Sequence, residues 1–328
     1  MLKIKCGAES DKERAKELIR RIEQLRGSRL FCLYHEQSDE FVEYLDPDTL
    51  ETCGSALVEL GHLPKLSVLI DSPGGDADTT FRLIKKFRSV ADEVEAIVVS
   101  WSKSAATIFC LGADKIFMGD DAELGPLDAQ LRNPKTGKRF SALNSFKSLE
   151  YLRQYSIEVL DIIAILFRDR VKMDYIYAVE HARPVVSDIV TSLYSQVSPS
   201  ELGEARRYLA VGELYSKMIM ERYSYKDYSQ QRIEEIARTL VWNYPSHGFV
   251  IDLEEAKRVG LKAERLDSEC NAVCKELLSA VKGCIGFVEN AVVAASPQVI
   301  SMPNPSGSGS TNETQESTNG SASAAKVG

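Results

Sequence analysis

The sequence predicts an α/β fold built on a parallel sheet, and three observations carry that prediction. Apolar runs of strand length lie at 29–35, 66–70, 94–99 and 115–118. Stretches with helical spacing separate the later runs, at steps of about 30 residues. Turn-forming or small residues close two of the strands, Pro73-Gly74-Gly75 after the second and Ser102-Lys103-Ser104 after the third. Parallel strands joined by helices form right-handed crossovers, because the twist of a strand lets a helix pack back on the sheet only that way.

Each element has a local cause. Ser10 and Glu13 have capping-box spacing, and Leu18, Ile19, Ile22 and Leu25 then share one helical face up to Gly27. Phe81, Leu83, Ile84 and Phe87 mark a second amphipathic helix, and Ala105 to Gly112 a short apolar one. From about Phe146 to Val241 the pattern is mostly helical. Within it Ser198-Pro199-Ser200-Glu201 is a helix start, with a capping Ser, Pro at the first position and Glu at the third. Pro245 to Gly248 interrupts, Leu253 to Val259 forms a helix closed by Gly260, and a last helix is expected over 268–293. The expected organisation is an N-terminal helix (1–28), an α/β core (29–145), a helical region (146–244) and a C-terminal part of the core with its helix (245–300). A tail follows (301–328) that is too poor in apolar residues to offset its ordering entropy and is expected to be disordered.

The net charge of -8 over 328 residues argues against a nucleic-acid partner, which is usually met by a basic stripe. No run reaches the ~18 apolar residues of a membrane span, and the N-terminus lacks the apolar core of a signal peptide, so a cytoplasmic protein is expected. The seven cysteines are scattered without a CxxC pair, which suits reduced thiols packed as small hydrophobes rather than metal ligands, and no cofactor is expected.

Two loops carry the chemistry. Asp71-Ser72-Pro73-Gly74-Gly75-Asp76 and Ser102-Lys103-Ser104-Ala105-Ala106 occupy the same place in successive βα units. Ligands of open α/β sheets bind outside the carboxyl ends of the strands, so both loops should face one site. Ser104 would stand at a helix N-terminus, with Ala105 and Ala106 leaving room for an acyl group. Gly74 and Gly75 let the backbone approach a substrate, and the Gly75 and Ala105 N–H groups are candidates for an oxyanion hole. The plain alternative is a capping serine beside an ordinary turn.

These residues also carry a family resemblance. RGSRLFCLYHEQ, SPGGDADTTFRLIKKFR, WSKSAATIFCLGADKIFMGDDAELGPLDAQ and PSHGFVIDLEEAKRVGL resemble the Clp protease and signal peptide peptidase group, in the branch of the serine dehydrogenase proteinases. The resemblance covers 27–135 and 245–262. It implies a ClpP/crotonase-like spiral of ββα units with a parallel sheet and an added helical region. It also implies a serine peptidase acting on polypeptides as a homo-oligomer, with Ser104 as nucleophile and Gly75 in the oxyanion hole. The family pattern sets a His about 25 residues after the serine, where this chain has Leu127-Asp128. It sets an Asp where this chain has His247-Gly248. The resemblance therefore implies Ser104, His247 and Asp128 with base and acid exchanged.

A serine needs a base near neutral pH, and the alternatives stay open. Of the four histidines, His62 precedes a strand on the far side, His181 lies in the helical region, and His35 ends the first strand. Lys147 is the rival base, as in Ser/Lys signal peptide peptidases, provided that burial strips its proton; Lys103 is a lesser one. Two other functions compete with the peptidase: a crotonase-type acyl-CoA enzyme that uses the glycine hole for an enolate, and a scaffold without catalysis.

Overall fold

The β2 strand of this fold is the run Arg29–Tyr34, and around it the chain lays down the other elements of a mixed α/β architecture. The computed structural model describes residues 2–5, 8–37, 42–132 and 139–288. In chain order these are β1 (Leu2–Lys5), α1 (Glu9–Arg26), β2, α2 (Pro47–Leu60), β3 (Leu63–Asp71), α3 (Ala77–Val90), β4 (Ala91–Val98), β5 (Trp101–Ser102), α4 (Ala105–Leu111), β6 (Lys115–Met118), β7 (Glu123–Leu124), β8 (Gln130–Arg132) and β9 (Arg139–Ser141). Then come α5 (Ala142–Val171), α6 (Tyr175–Tyr194), α7 (Pro199–Ile219), α8 (Gln230–Arg238), α9 (Leu253–Val259), β10 (Ala263–Arg265), α10 (Ser268–Ala280) and β11 (Gly283–Gly286). Widened π-helical turns at Met220–Ser224 and Thr239–Asn243 extend α7 and α8.

Among the described residues the main sheet has seven strands in the order β1-β11-β2-β3-β4-β6-β10. The run from β2 to β10 is parallel, and β1 and β11 add an antiparallel edge. Each face has its own core. Val68, Ile70, Ala96 and Val98 pack with α2, α3, α4 and the later helices, while Leu69 and Ile97 pack with α1 and α10. Both faces of these strands are covered, which is why they read as continuous apolar runs. Among the described residues no helix is long and apolar enough to cross a membrane.

Local chemistry explains most boundaries. Gly27 ends α1 at φ 62, and its N–H returns to the Glu23 carbonyl. The start of α1 differs from expectation: Ala8 is the capping position, and the Asp11 carboxylate accepts from the Ala8 N–H at 3.1 Å. Ser198 caps α7 as expected, accepting from the Glu201 N–H at 3.3 Å. The helix α2 was not expected. Asp46 caps it, Pro47 opens it, and Leu50, Cys53 and Leu57 are its buried stripe. The last helix is shorter than expected, because the open edge of β2 takes up Gly283–Gly286 as a strand. The remainder of that expected helix beyond 288, and the tail at 301–328, lie outside the described residues.

Parallel pairing puts the ends of β3 and β4 on the same side of the sheet. There the chain builds a second, smaller layer. Ser72 bridges Ser102, β5 pairs with β7, and Leu124 bridges Ile251. Four distant segments thus lie side by side above the sheet ends.

Candidate functional site

The two loops meet as closely as backbone allows. The Ser72 N–H donates to the Trp101 carbonyl (3.2 Å), and the Lys103 N–H to the Ser72 carbonyl (3.0 Å). Gly74 sits at φ 99 against the next loop, and a Cβ there would lie 2.5 Å from the Lys103 oxygen and 2.9 Å from Ser104 Cβ. Gly75 (φ 152) is pressed on the backbone of Leu45, 2.3 Å from a built Cβ to its oxygen. Only glycine satisfies both requirements, positive φ and no side chain. Gly74→Ala is therefore expected to push the loop off Ser104. The checks are a fall in melting temperature, from a cost of about 2–4 kcal/mol, and a loss of Ser104 reactivity. An active, fully stable variant would contradict this packing.

Ser104 is one of two described non-glycine residues at positive φ, with φ 51 and ψ -123. Its side chain makes no capping bond to α4, so the plain capping role does not account for it. A non-glycine residue in a sparsely populated region costs about 1–3 kcal/mol and marks a candidate functional position. The Gly75 and Ala105 N–H groups have no acceptor among the described residues, whereas the Gly74 N–H donates to Ser72 Oγ (3.2 Å). Of the two loop glycines, Gly75 thus keeps the amide that can serve an anion, and Gly74 supplies close approach.

Asp128 and His247 come together across 119 residues. His247 Nδ1 lies 2.9 Å from Asp128 Oδ1. The Leu124–Ile251 bridge and the Leu127 N–H donating to the Leu240 carbonyl (2.8 Å) bring the two segments alongside each other. Asp128 is 2% exposed, and its other oxygen accepts from the Ser141 hydroxyl. That hydroxyl also caps α5, accepting from the Leu143 N–H at 3.1 Å. Ser141 was not singled out from sequence, although a serine directly before an apolar helix is its signal. The His247 ring is partly exposed, Nε2 has no partner among the described residues, and no hydrogen bond joins it to Ser104.

The other candidates fare differently. Lys147 is 53% exposed and pairs with Glu150 at 3.6 Å, so the burial that a lysine base needs is missing. Lys103 is buried, but its Nζ is held 3.0 Å from Glu123 and 3.4 Å from the Leu124 carbonyl. His62 is exposed beside Asp92, and His181 is bonded to the Tyr177 carbonyl. His35 is fully buried, with both ring nitrogens engaged by Ser72 and Thr49. The Cys110 thiol, pushed up to about 12 by burial, is no rival nucleophile. Among the described residues no group of His, Cys, Asp or Glu side chains is placed to hold a metal ion.

Two buried titratable groups near the loops oppose each other in pH. Burial pushes Asp71 from 3.8 up to about 6, and one of its oxygens is left without a partner. Burial also pushes His35 from 6.5 down to about 4. The folded state prefers Asp71 protonated, so its contribution to stability falls as pH rises through 4–6. The folded state prefers His35 neutral, so its contribution falls as pH drops from 6.5 to 4. At ~1.4 kcal/mol per pH unit each amounts to about 3 kcal/mol, and in wild type they largely cancel. Asp71→Asn should therefore melt higher than wild type at pH 8 and about equally at pH 4. A melting-temperature difference independent of pH would refute this.

No family model matches the chain. Two uncharacterized proteins of Methanocaldococcus jannaschii are similar to it. One is 21% identical over 260 residues, covering 76% of this chain and 72% of its own length. The other is 26% identical over 121 residues, covering 34% and 41%. Among solved structures, a ClpP1 mutant from Listeria monocytogenes has a TM-score of 0.37 at 11% identity, covering 76% of this chain and 98% of its own. A mutant of a membrane-bound stomatin-specific protease scores 0.27 at 14% identity, covering 68% and 93%. A second mutant of it, in complex with a substrate peptide, scores 0.25 at 13%, covering 70% and 90%. Scores and identities at this level do not carry an activity over to this chain.

Proposed function

We propose that the chain is a serine peptidase in which Ser104 attacks a peptide carbonyl and His247 takes its proton. The observation that carries the proposal is the buried Asp128 bonded to His247, in a segment laid beside the Ser104 loop by the 72–102–124–251 strip. An Asp-held imidazole with a free Nε2 is the arrangement that activates a serine. The missing Ser104–His247 bond is closed in the substrate complex, since catalytic hydrogen bonds tighten there. In the first half-reaction the Ser104 oxygen bonds to the carbonyl carbon, and its proton passes to Nε2. The Gly75 and Ala105 N–H groups hold the oxyanion. The intermediate then expels the amine, which takes the proton from the imidazolium, and water releases the acyl group by the same steps in reverse.

The test is a fluorophosphonate probe followed by peptide mapping. Label on Ser104 that disappears in His247→Ala supports the peptidase. No label on folded protein leaves the scaffold reading, and coenzyme A binding without label would favour the acyl-CoA reading.

A homo-oligomer in the cytoplasm is part of the same proposal. The α5–α6 pair exposes Ile157, Ile162, Leu166, Val171 and Ile176, apolar area that a partner surface would cover. The described cysteines are unbridged, as in a reducing compartment. A monomer by sedimentation at micromolar concentration would contradict the oligomer.

A further inference from the structure

The buried imidazole at the end of β2 is wired to the glycine loop through a chain whose proton order can be assigned. Thr49 Oγ1 donates its one proton to the Tyr44 carbonyl (3.1 Å), so toward His35 it accepts, and Nε2 carries the ring proton across a long 3.4 Å contact. Nδ1 is then the acceptor, and the Ser72 hydroxyl donates to it at 2.8 Å. Ser72 Oγ in turn accepts from the Gly74 N–H (3.2 Å). The same glycine loop is clamped from the other side by backbone. The Leu45 N–H donates to the Gly74 carbonyl and the Asp76 N–H to the Leu45 carbonyl, both at 2.8 Å. His35, Ser72 and Thr49 are all buried, and the imidazole is held neutral by that burial, as the acceptor role requires.

We infer that His35 is a positioning residue: through Ser72 it fixes the Pro73–Gly74 peptide, and together with the Leu45 clamp on the Gly74 carbonyl this holds the Gly75 N–H toward the oxyanion of Ser104 chemistry. The assignment rests on the peptidase proposed above. The reasoning is geometric. The Gly74 N–H is the neighbour of the amide that must point outward, and a loop of two glycines has no intrinsic preference for that one conformation. The Ser72 bond fixes the peptide before Gly74 and the Leu45 N–H fixes the one after it, so releasing the Gly74 N–H leaves the plane that carries the Gly75 N–H on a single anchor. An oxyanion hole works only when its donors are fixed before the charge develops.

The experiment reads loop order and reactivity separately, in the full chain. His35→Leu removes the acceptor, Ser72→Ala removes the same link with a small change that the fold should tolerate, and His35→Asn restores an acceptor oxygen near the Nδ1 position. Amide hydrogen exchange of the 72–76 segment should quicken in His35→Leu and Ser72→Ala and return toward wild type in His35→Asn. The maximal rate of fluorophosphonate labelling at Ser104 should fall about 100-fold in the first two, with the half-saturating probe concentration unchanged, and recover in the third. Unchanged exchange and labelling in folded Ser72→Ala, or a His35→Asn no better than His35→Leu, overturns the role of His35 while leaving the peptidase standing. Wild-type protein that takes no label overturns the peptidase and the catalytic half of this assignment with it.

Discussion

Ser104→Ala should reduce peptide hydrolysis by a factor on the order of 10⁴–10⁶ while leaving the melting temperature within a degree or two of wild type. The pairing of these outcomes follows from the local structure. The Ser104 hydroxyl makes no capping bond, so its removal takes away no interaction that holds α4. Alanine meets the same strain at φ 51 as serine does, and the backbone cost is unchanged. Glycine would relieve that strain, so Ser104→Gly should be just as inactive yet more stable than Ser104→Ala by about 1 kcal/mol. A strained residue whose side chain the fold does not use is a candidate for chemistry. Hydrolysis unchanged in Ser104→Ala would end the enzymatic assignment. Loss of activity together with unfolding would return the residue to a structural role.

The parts of this site that could be read from sequence are those whose causes are local. DSPGGD and WSKSAA announce strand ends because glycine, proline and small residues permit backbone geometry that others do not. The glycine clearances around Leu45 and Ser104 show the need. The α7 start was legible for the same reason, a Ser-Pro cap. Other features depend on partners far along the chain. Gly283–Gly286 has glycine at both ends and little strand preference of its own, and it is extended because β2 offers an unpaired edge. The helix α2 was overlooked despite Asp46-Pro47, and with it the Tyr44 to Thr49 segment that reaches His35. His35 looked like a strand-end histidine because nothing in its neighbourhood reveals that Ser72, 37 residues on, turns toward it. Asp128 and His247 were paired only through the resemblance, since spacing carries no information across 119 residues. The lysine alternative requires burial, a quantity that two flanking apolar residues do not determine, and Lys147 is exposed.

His247→Ala should be nearly as inactive as Ser104→Ala, and the double variant no worse than either, because nucleophile and base act as a unit. Asp128→Asn is the more telling change. The Ser141 hydroxyl donates into Asp128, and after substitution the same donor should keep the amide oxygen on its side. The amide NH₂ then faces His247 Nδ1 and donates to it, which puts the ring proton on Nε2, the atom that must accept from Ser104. The expected loss is on the order of 10⁴-fold in kcat, with little change in KM, since the imidazole remains in place but in the wrong tautomer. Ser141→Ala in the Asp128→Asn background frees the amide to turn over and should recover part of that loss. The alternative base makes the opposite forecast: Lys147→Ala would be inactive and His247→Ala mostly active. With Lys147 exposed and paired to Glu150, that variant should instead keep wild-type activity. Steady-state kinetics on these variants decides the matter, and activity surviving in both His247→Ala and Asp128→Asn would remove the pair from the mechanism.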